Sequence, residues 1–141
     1  MTFKTLLATL IGAAILGGCC TACKQRVKNA RPLEGTEWHL VQIGGRDVAY
    51  EADTFNITLE GGQLSGVGAC NRLMGDYTLA PKSGLSFGNL ASTRMMCPNM
   101  EDETAFCLIL DGTTHYDIDY DTLMLMQDGV IKAVLKAVEK K

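Results

Sequence analysis

The chain has 141 residues, 47% of them hydrophobic, with 13 Lys and Arg against 16 Asp and Glu and a formal net charge of −3. That length holds one domain around a single core, and an acidic balance without a basic stripe excludes nucleic acid as a partner. Six cysteines in so short a chain raise the questions of export, disulfides and thiol chemistry.

In chain order, the first feature is not part of the domain. Lys4 supplies a positive start, Leu6 to Leu16 is apolar apart from Thr9, and small residues follow. The run is shorter than the roughly 20 apolar residues a membrane span needs, so residues 1–18 read as a secretory signal. Leu16-Gly17-Gly18-Cys19 resembles the lipobox of bacterial lipoproteins, which implies that Cys19 is the lipidated first residue of the mature chain. Cys20 is a poorer candidate, because Gly17 would then take the apolar place three residues upstream. Several acyl chains on one residue make a stable membrane anchor where a single chain does not.

Residues 19–32 carry Lys24, Arg26, Lys28 and Arg31 and no acid, the composition of a short tether over anionic headgroups. Removing Lys4 with the signal leaves 12 basic against 16 acidic residues, so the acidic excess lies in the domain. The residue after Cys19 is Cys20 and not Asp. By the same resemblance this implies the outer membrane, with the periplasmic face favoured over the cell surface. Cys20-Thr21-Ala22-Cys23 has redox-motif spacing but no strand–helix context, so neither a redox nor a metal role is assigned to it. With Cys19 lipidated, five cysteines remain, and an odd number leaves a thiol free or pairing between chains.

From Leu33 onward the signals are those of β structure. Residues 36–43 (TEWHLVQI) have strand composition and stop at Gly44-Gly45. Runs 55–59 and 63–70 flank Glu60-Gly61-Gly62, a hairpin signature. Runs 75–80 and 84–88 surround the Pro81–Gly84 turn. Near the end, 116–120, 122–127 and 130–138 are separated by Asp121 and by Asp128-Gly129, and alternation favours a strand for the last. Residues 99–112 break the pattern. Asn99 stands as a cap, acids fill the first turn, and Ala105, Phe106, Ile109 and Leu110 have helical spacing up to Gly112. The expected architecture is mainly β (α+β): a compact antiparallel, barrel-like sheet with one helix packed across it.

Three stretches carry a family resemblance: LEGTEWHLVQIGGRDV, GACNRLMGDYTL and LSFGNLASTRMMCP. Their pattern of Cys70, Asn71, Gly75 and Tyr77, then Thr93, Met95, Cys97 and Pro98, resembles the META domain, the family of HslJ-like, heat-shock-associated envelope lipoproteins. Ala69 stands where the family often has Gly. The resemblance runs from about Leu33 to the C-terminus, giving a division into a signal (1–18), a lipidated tether (19–32) and a META domain (33–141). It implies a β-barrel-like fold with a helix, a place in the cell envelope, and a tie to stress or drug tolerance without established catalysis.

Cys70 poses the sharpest choice. As a nucleophile it would need a base, and only His39 and His115 exist, neither in a thiol-enzyme pattern. As one half of a disulfide with Cys97 it would staple the loop before the helix to the sheet, while two buried free thiols are the plain alternative. Asn71 suits a turn, Tyr77 suits packing with its hydroxyl bonded, and Cys107 suits the core. No metal site is assigned. There is no HExxH, no second CxxC, and Asp117, Asp119 and Asp121 lack the glycine of a calcium loop and alternate onto one wet strand face. No cofactor is expected. Met74, Met96, Met100, Met124 and Met126, with Met95 beside them, are either flexible filler or the lining of an apolar groove for a lipid, drug-like molecule or peptide. A copper(I) role lacks a recognisable spacing. The expected function is a non-catalytic, lipid-anchored envelope module acting by binding or scaffolding, whose partners are the membrane and an envelope protein or apolar small molecule. The alternatives are a lipid or peptide carrier and, behind it, a thiol enzyme.

Overall fold

The computed structural model describes residues 29–139, so the segment read as a signal (1–18), Cys19, Cys20 and Cys23 lie outside the described residues. Nine strands follow: β1 (Glu37–Ile43), β2 (Arg46–Asp47), β3 (Asn56–Glu60), β4 (Gln63–Val67), β5 (Arg72–Ala80), β6 (Gly84–Ser92), then β7 (His115–Asp119), β8 (Thr122–Gln127) and β9 (Val130–Ala137). One helix, α1 (Met100–Gly112), interrupts the series between β6 and β7. All strand pairs are antiparallel in the order β2-β1-β3-β4-β5-β6-β7-β8-β9, and β1 also pairs with β9. The sheet therefore closes on itself, which removes the free edges of its first and last long strands.

Short glycine-bearing turns set this up-and-down order. Gly61 and Gly62 both have positive φ (59° and 82°), as do Asp128 and Gly129 (50° and 82°). Two consecutive left-handed residues match the right-handed twist of the strands they join. Alternation then sorts the side chains. On β8, Leu123 and Leu125 are fully buried while Met124 and Met126 face outward, half-exposed. Trp38, Leu40, Ile57, Leu59, Leu64, Leu85 and Leu135 complete a filled interior, each at 2% exposure or less. Each such side chain contributes about 1.5–3 kcal/mol. The Trp38 indole N–H donates to the Leu33 carbonyl at 3.0 Å, so its polar edge is satisfied inside.

The ring is weakest between β6 and β7. Only Gly84 and His115 pair in register there. Beyond that point β6 runs on to Ser92, and α1 lies against it. Glu103, Phe106 and Leu110 form the buried stripe of the helix. Phe106 meets Phe55, which stacks on Tyr50. Thr113 ends the helix, its N–H bonding the Leu110 carbonyl and its hydroxyl the Ile109 carbonyl.

Several expectations need correction, among them β6, expected over 84–88, which runs on to Ser92. The strand read as 63–70 ends at Val67, because the Gly68 N–H turns back to the Asn71 carbonyl and the next three N–H groups turn to a side chain described below. β5 starts at Arg72, three residues before the expected 75, and β2 was not foreseen. Asn99 makes no side-chain cap. It sits in the left-handed region at φ 66°, and only its carbonyl accepts the Glu103 N–H.

Candidate functional site

The cysteine cluster resolves into a clamp. Cys70 lies in the turn between β4 and β5, Cys97 in the loop between β6 and α1, and a disulfide joins them with their Cα atoms 6.3 Å apart. With its sulfur in that bond Cys70 carries no free thiol. His39 lies on β1 opposite Asn56 and Lys136, and His115 opens β7.

Asn71, next along, is 1% exposed and uses both ends of its amide across the same gap. Its oxygen accepts the Met95 N–H at 2.7 Å and the Thr93 hydroxyl at 2.9 Å. Its nitrogen donates to the Met95 carbonyl at 3.1 Å and to Glu103 Oε1 at 2.7 Å. The pair of bonds to Met95 imitates a strand pairing with a side chain. Thr93 adds to it by accepting the Arg72 N–H at 3.0 Å.

Glu103 is the residue that sequence reasoning missed. It is 4% exposed, and its Oε2 accepts the N–H groups of Ala69 (2.7 Å), Cys70 (3.3 Å) and Asn71 (3.3 Å). A buried carboxylate is tolerable when several donors converge on it. A signal was present: residues 103, 106 and 110 share one helical stripe, so a charge at 103 had to enter the core with partners. Gly68 makes the approach possible, since a Cβ there would lie 2.5 Å from Glu103 Oε2.

The neighbouring acid holds a different piece. Asp102 accepts from Arg46 and from the Tyr50 hydroxyl, both at 2.6 Å, tying β2 and the following loop to the helix start. Burial, with the Asp102 bond behind it, pushes Tyr50 up to about 12.

Other predicted residues are placed as follows. Gly75 lies opposite a bulge of β6, where a Cβ would come within 2.8 Å of Leu90. Tyr77 is buried at 8% exposure and its hydroxyl donates to Glu34, remote from the clamp. Burial and the Glu34 bond raise its pKa. Pro98 is exposed in the turn before α1. Cys107 is a half-buried free thiol, its pKa raised by burial and by Glu103. Among the described residues no three His, Cys, Asp or Glu side chains converge as a metal site.

The single methionine groove does not form. Met96 and Met100, with Met95, line one open cleft of about 700 Å³ between the end of β6 and α1. Met74 points out from β5 beside Arg72, Met126 sits in a separate cleft with His115, and Met124 lies on the outer face of β8. Strand alternation contributes to the split: those three stand on the outer face of a closed ring, in or beside other surface clefts. Nor is the barrel hollow, since its centre is occupied by side chains at 2% exposure or less.

A family model for the META domain matches residues 31–139. The chain belongs to the META domain family. Cys70, Asn71, Thr93, Met95 and Cys97, which carried the resemblance, are the residues that build the clamp. The META fold is also found in solved structures similar to this chain. One is an NMR structure of a protein from Burkholderia xenovorans, 22% identical with a TM-score of 0.62, covering 96% of this chain and 100% of that one. A second NMR structure is 24% identical with a TM-score of 0.59, covering 73% and 89%. A crystal structure of a DUF4847 family protein from Bacteroides vulgatus is 18% identical with a TM-score of 0.57, covering 77% and 96%. At these identities they show the fold alone. No curated protein matches the chain. Among the described residues no helix is long and apolar enough to cross a membrane.

Proposed function

We propose that this META-domain protein is a non-catalytic, lipid-anchored component of the bacterial cell envelope that supports envelope integrity under stress or drug exposure by binding or scaffolding. The observation that carries the reading is the Leu16-Gly17-Gly18-Cys19 sequence followed by a basic stretch and then a clamped domain. Cys19 would hold the chain on the outer membrane through its acyl chains, and residues 19–32 would space the domain from the surface.

The non-catalytic part is supported by the state of Cys70 and by the roles of Asn71 and Glu103, whose polar atoms are spent on backbone groups, on Thr93 and on each other. A carrier that encloses its ligand is disfavoured by the filled interior, so an apolar ligand or envelope partner would meet the outside of the barrel.

Blocking lipoprotein signal processing with a globomycin-type inhibitor tests the anchor. Treated cells should accumulate a chain that retains residues 1–18, and untreated cells a membrane-bound chain of lower peptide mass with added acyl mass. Unchanged mass and unchanged membrane association on treatment would overturn the reading.

A further inference from the structure

The clamp leaves several sulfur atoms without a structural task. Met95 contributes only its backbone to the Asn71 network and keeps a side chain 55% exposed, and Met96 is 87% exposed. Filling a core, the usual use of methionine, accounts for neither. Both line the open cleft, together with Met100 and the free thiol of Cys107. The Met100 sulfur sits 3.7 Å from Cys97 Sγ and 3.8 Å from Asn71 Nδ2, so the clamp fixes where it stands. The three donors come from the loop after β6 and from the first residue of α1.

We propose that this cleft is a copper(I) site, with the thioethers of Met95, Met96 and Met100 as its donors. Soft sulfur ligands select copper(I) over hard cations, which want oxygen. The local charge points the same way. Glu103 is committed to the Ala69, Cys70 and Asn71 donors, and Arg94 on the cleft wall opposes a doubly charged ion more than a singly charged one. Copper enters as copper(I), and no electron changes hands. The thioethers bind without losing a proton. Cys97 is not a donor while bonded to Cys70.

The test uses the full chain in detergent with Cys20→Ser and Cys23→Ser, so that tether thiols do not compete, and ¹³C-labelled methionine methyl groups. Silver(I) serves as a redox-inert probe for copper(I). It should shift the methyl resonances of Met95, Met96 and Met100 and leave those of Met74, Met124 and Met126 in place. In parallel, the protein should withdraw copper(I) from a coloured chelator such as bicinchoninate without oxygen, and M95L/M96L/M100L should lose this ability while M74L/M124L/M126L keeps it. Methyl resonances that stay unmoved, or copper uptake that survives M95L/M96L/M100L, would overturn the site. If that triple variant fails to fold, the silver shifts in the chain with native methionines decide alone.

Discussion

Gly68 and Glu103 fit together because residue 68 has no side chain: a Cβ there would lie 2.5 Å from Glu103 Oε2 and 2.6 Å from its Cγ. The missing methyl group lets a helix carboxylate sit under the turn between β4 and β5 and collect three backbone N–H groups. Gly68→Ala should therefore destabilise the domain by about 1–3 kcal/mol, the usual cost of overpacking. Glu103→Ala should cost at least as much, since it strands buried donors worth about 1–3 kcal/mol each. The two residues share one contact, so the losses should fall short of additive in the double variant. Denaturant unfolding of the four proteins measures this, and full additivity would mean that the contact is not limiting.

The Cys70–Cys97 bond closes a loop spanning 27 positions. In the chain-entropy description a closure of that size stabilises by about 3–4 kcal/mol. Cys97→Ala, or reduction, should lower the free energy of unfolding by that amount and move the denaturant midpoint down accordingly. The strands far from the clamp, such as β8, should keep their hydrogen-exchange protection relative to the new global stability. Alkylation of the native protein in the absence of reductant should leave Cys70 and Cys97 unlabelled, and fast labelling of Cys70 would contradict the bond.

What could be read in advance follows from which forces leave a local trace. β8 was readable because Leu123 and Leu125 alternate with Met124 and Met126, and burial on one face imposes that period. β2 was not, since Arg46 and Asp47 are too few to show any period. The run 63–70 looked like one strand, yet past Val67 the Glu103 carboxylate draws the N–H groups of Ala69, Cys70 and Asn71 away from pairing, and Glu103 is more than thirty positions distant. The acids of the first helical turn suit the positive end of the helix dipole. Two of them, Asp102 and Glu103, turn out to be long-range ties. The two halves of the clamp were each legible as motifs. Their joining through the Asn71 amide was not, because a side chain that imitates a strand pairing leaves no pattern in the residues around it.

Asn71 makes a sharper test than its neighbours because its two ends have opposite roles. Asn71→Asp keeps the acceptor for Met95 and Thr93 but puts an oxygen where the amide nitrogen now donates to Glu103 Oε1 at 2.7 Å. Two buried carboxyl groups at that distance cannot both ionise, so one will hold its proton to higher pH in the folded state than in the unfolded chain. In that window the folded state binds more protons, and stability falls as pH rises. The variant should thus be strongly destabilised at neutral pH and regain part of the loss on acidification, whereas Asn71→Ala should show no such recovery. Parallel pH profiles for the two variants would rule out this coupling.

Tyr50 supplies a test at the other end of the pH scale. Its hydroxyl donates to Asp102 at 2.6 Å, and burial together with that bond raises the phenol from its ordinary 10.0 to about 12. In the unfolded chain the phenol loses its proton as pH passes 10.0, while in the folded domain it holds it until about 12. Between those values the folded state carries the extra proton, so the contribution of Tyr50 is complete below the window and disappears as pH rises through it. Phenolate absorbance should show a late step that Tyr50→Phe removes, leaving the delayed titration of Tyr77, which Glu34 and burial also raise. Unfolding measured across the same window should show a steeper decline for the parent protein than for Tyr50→Phe. Two curves that fall in parallel would mean that the Tyr50–Asp102 bond does not hold the helix start to the loop after β2.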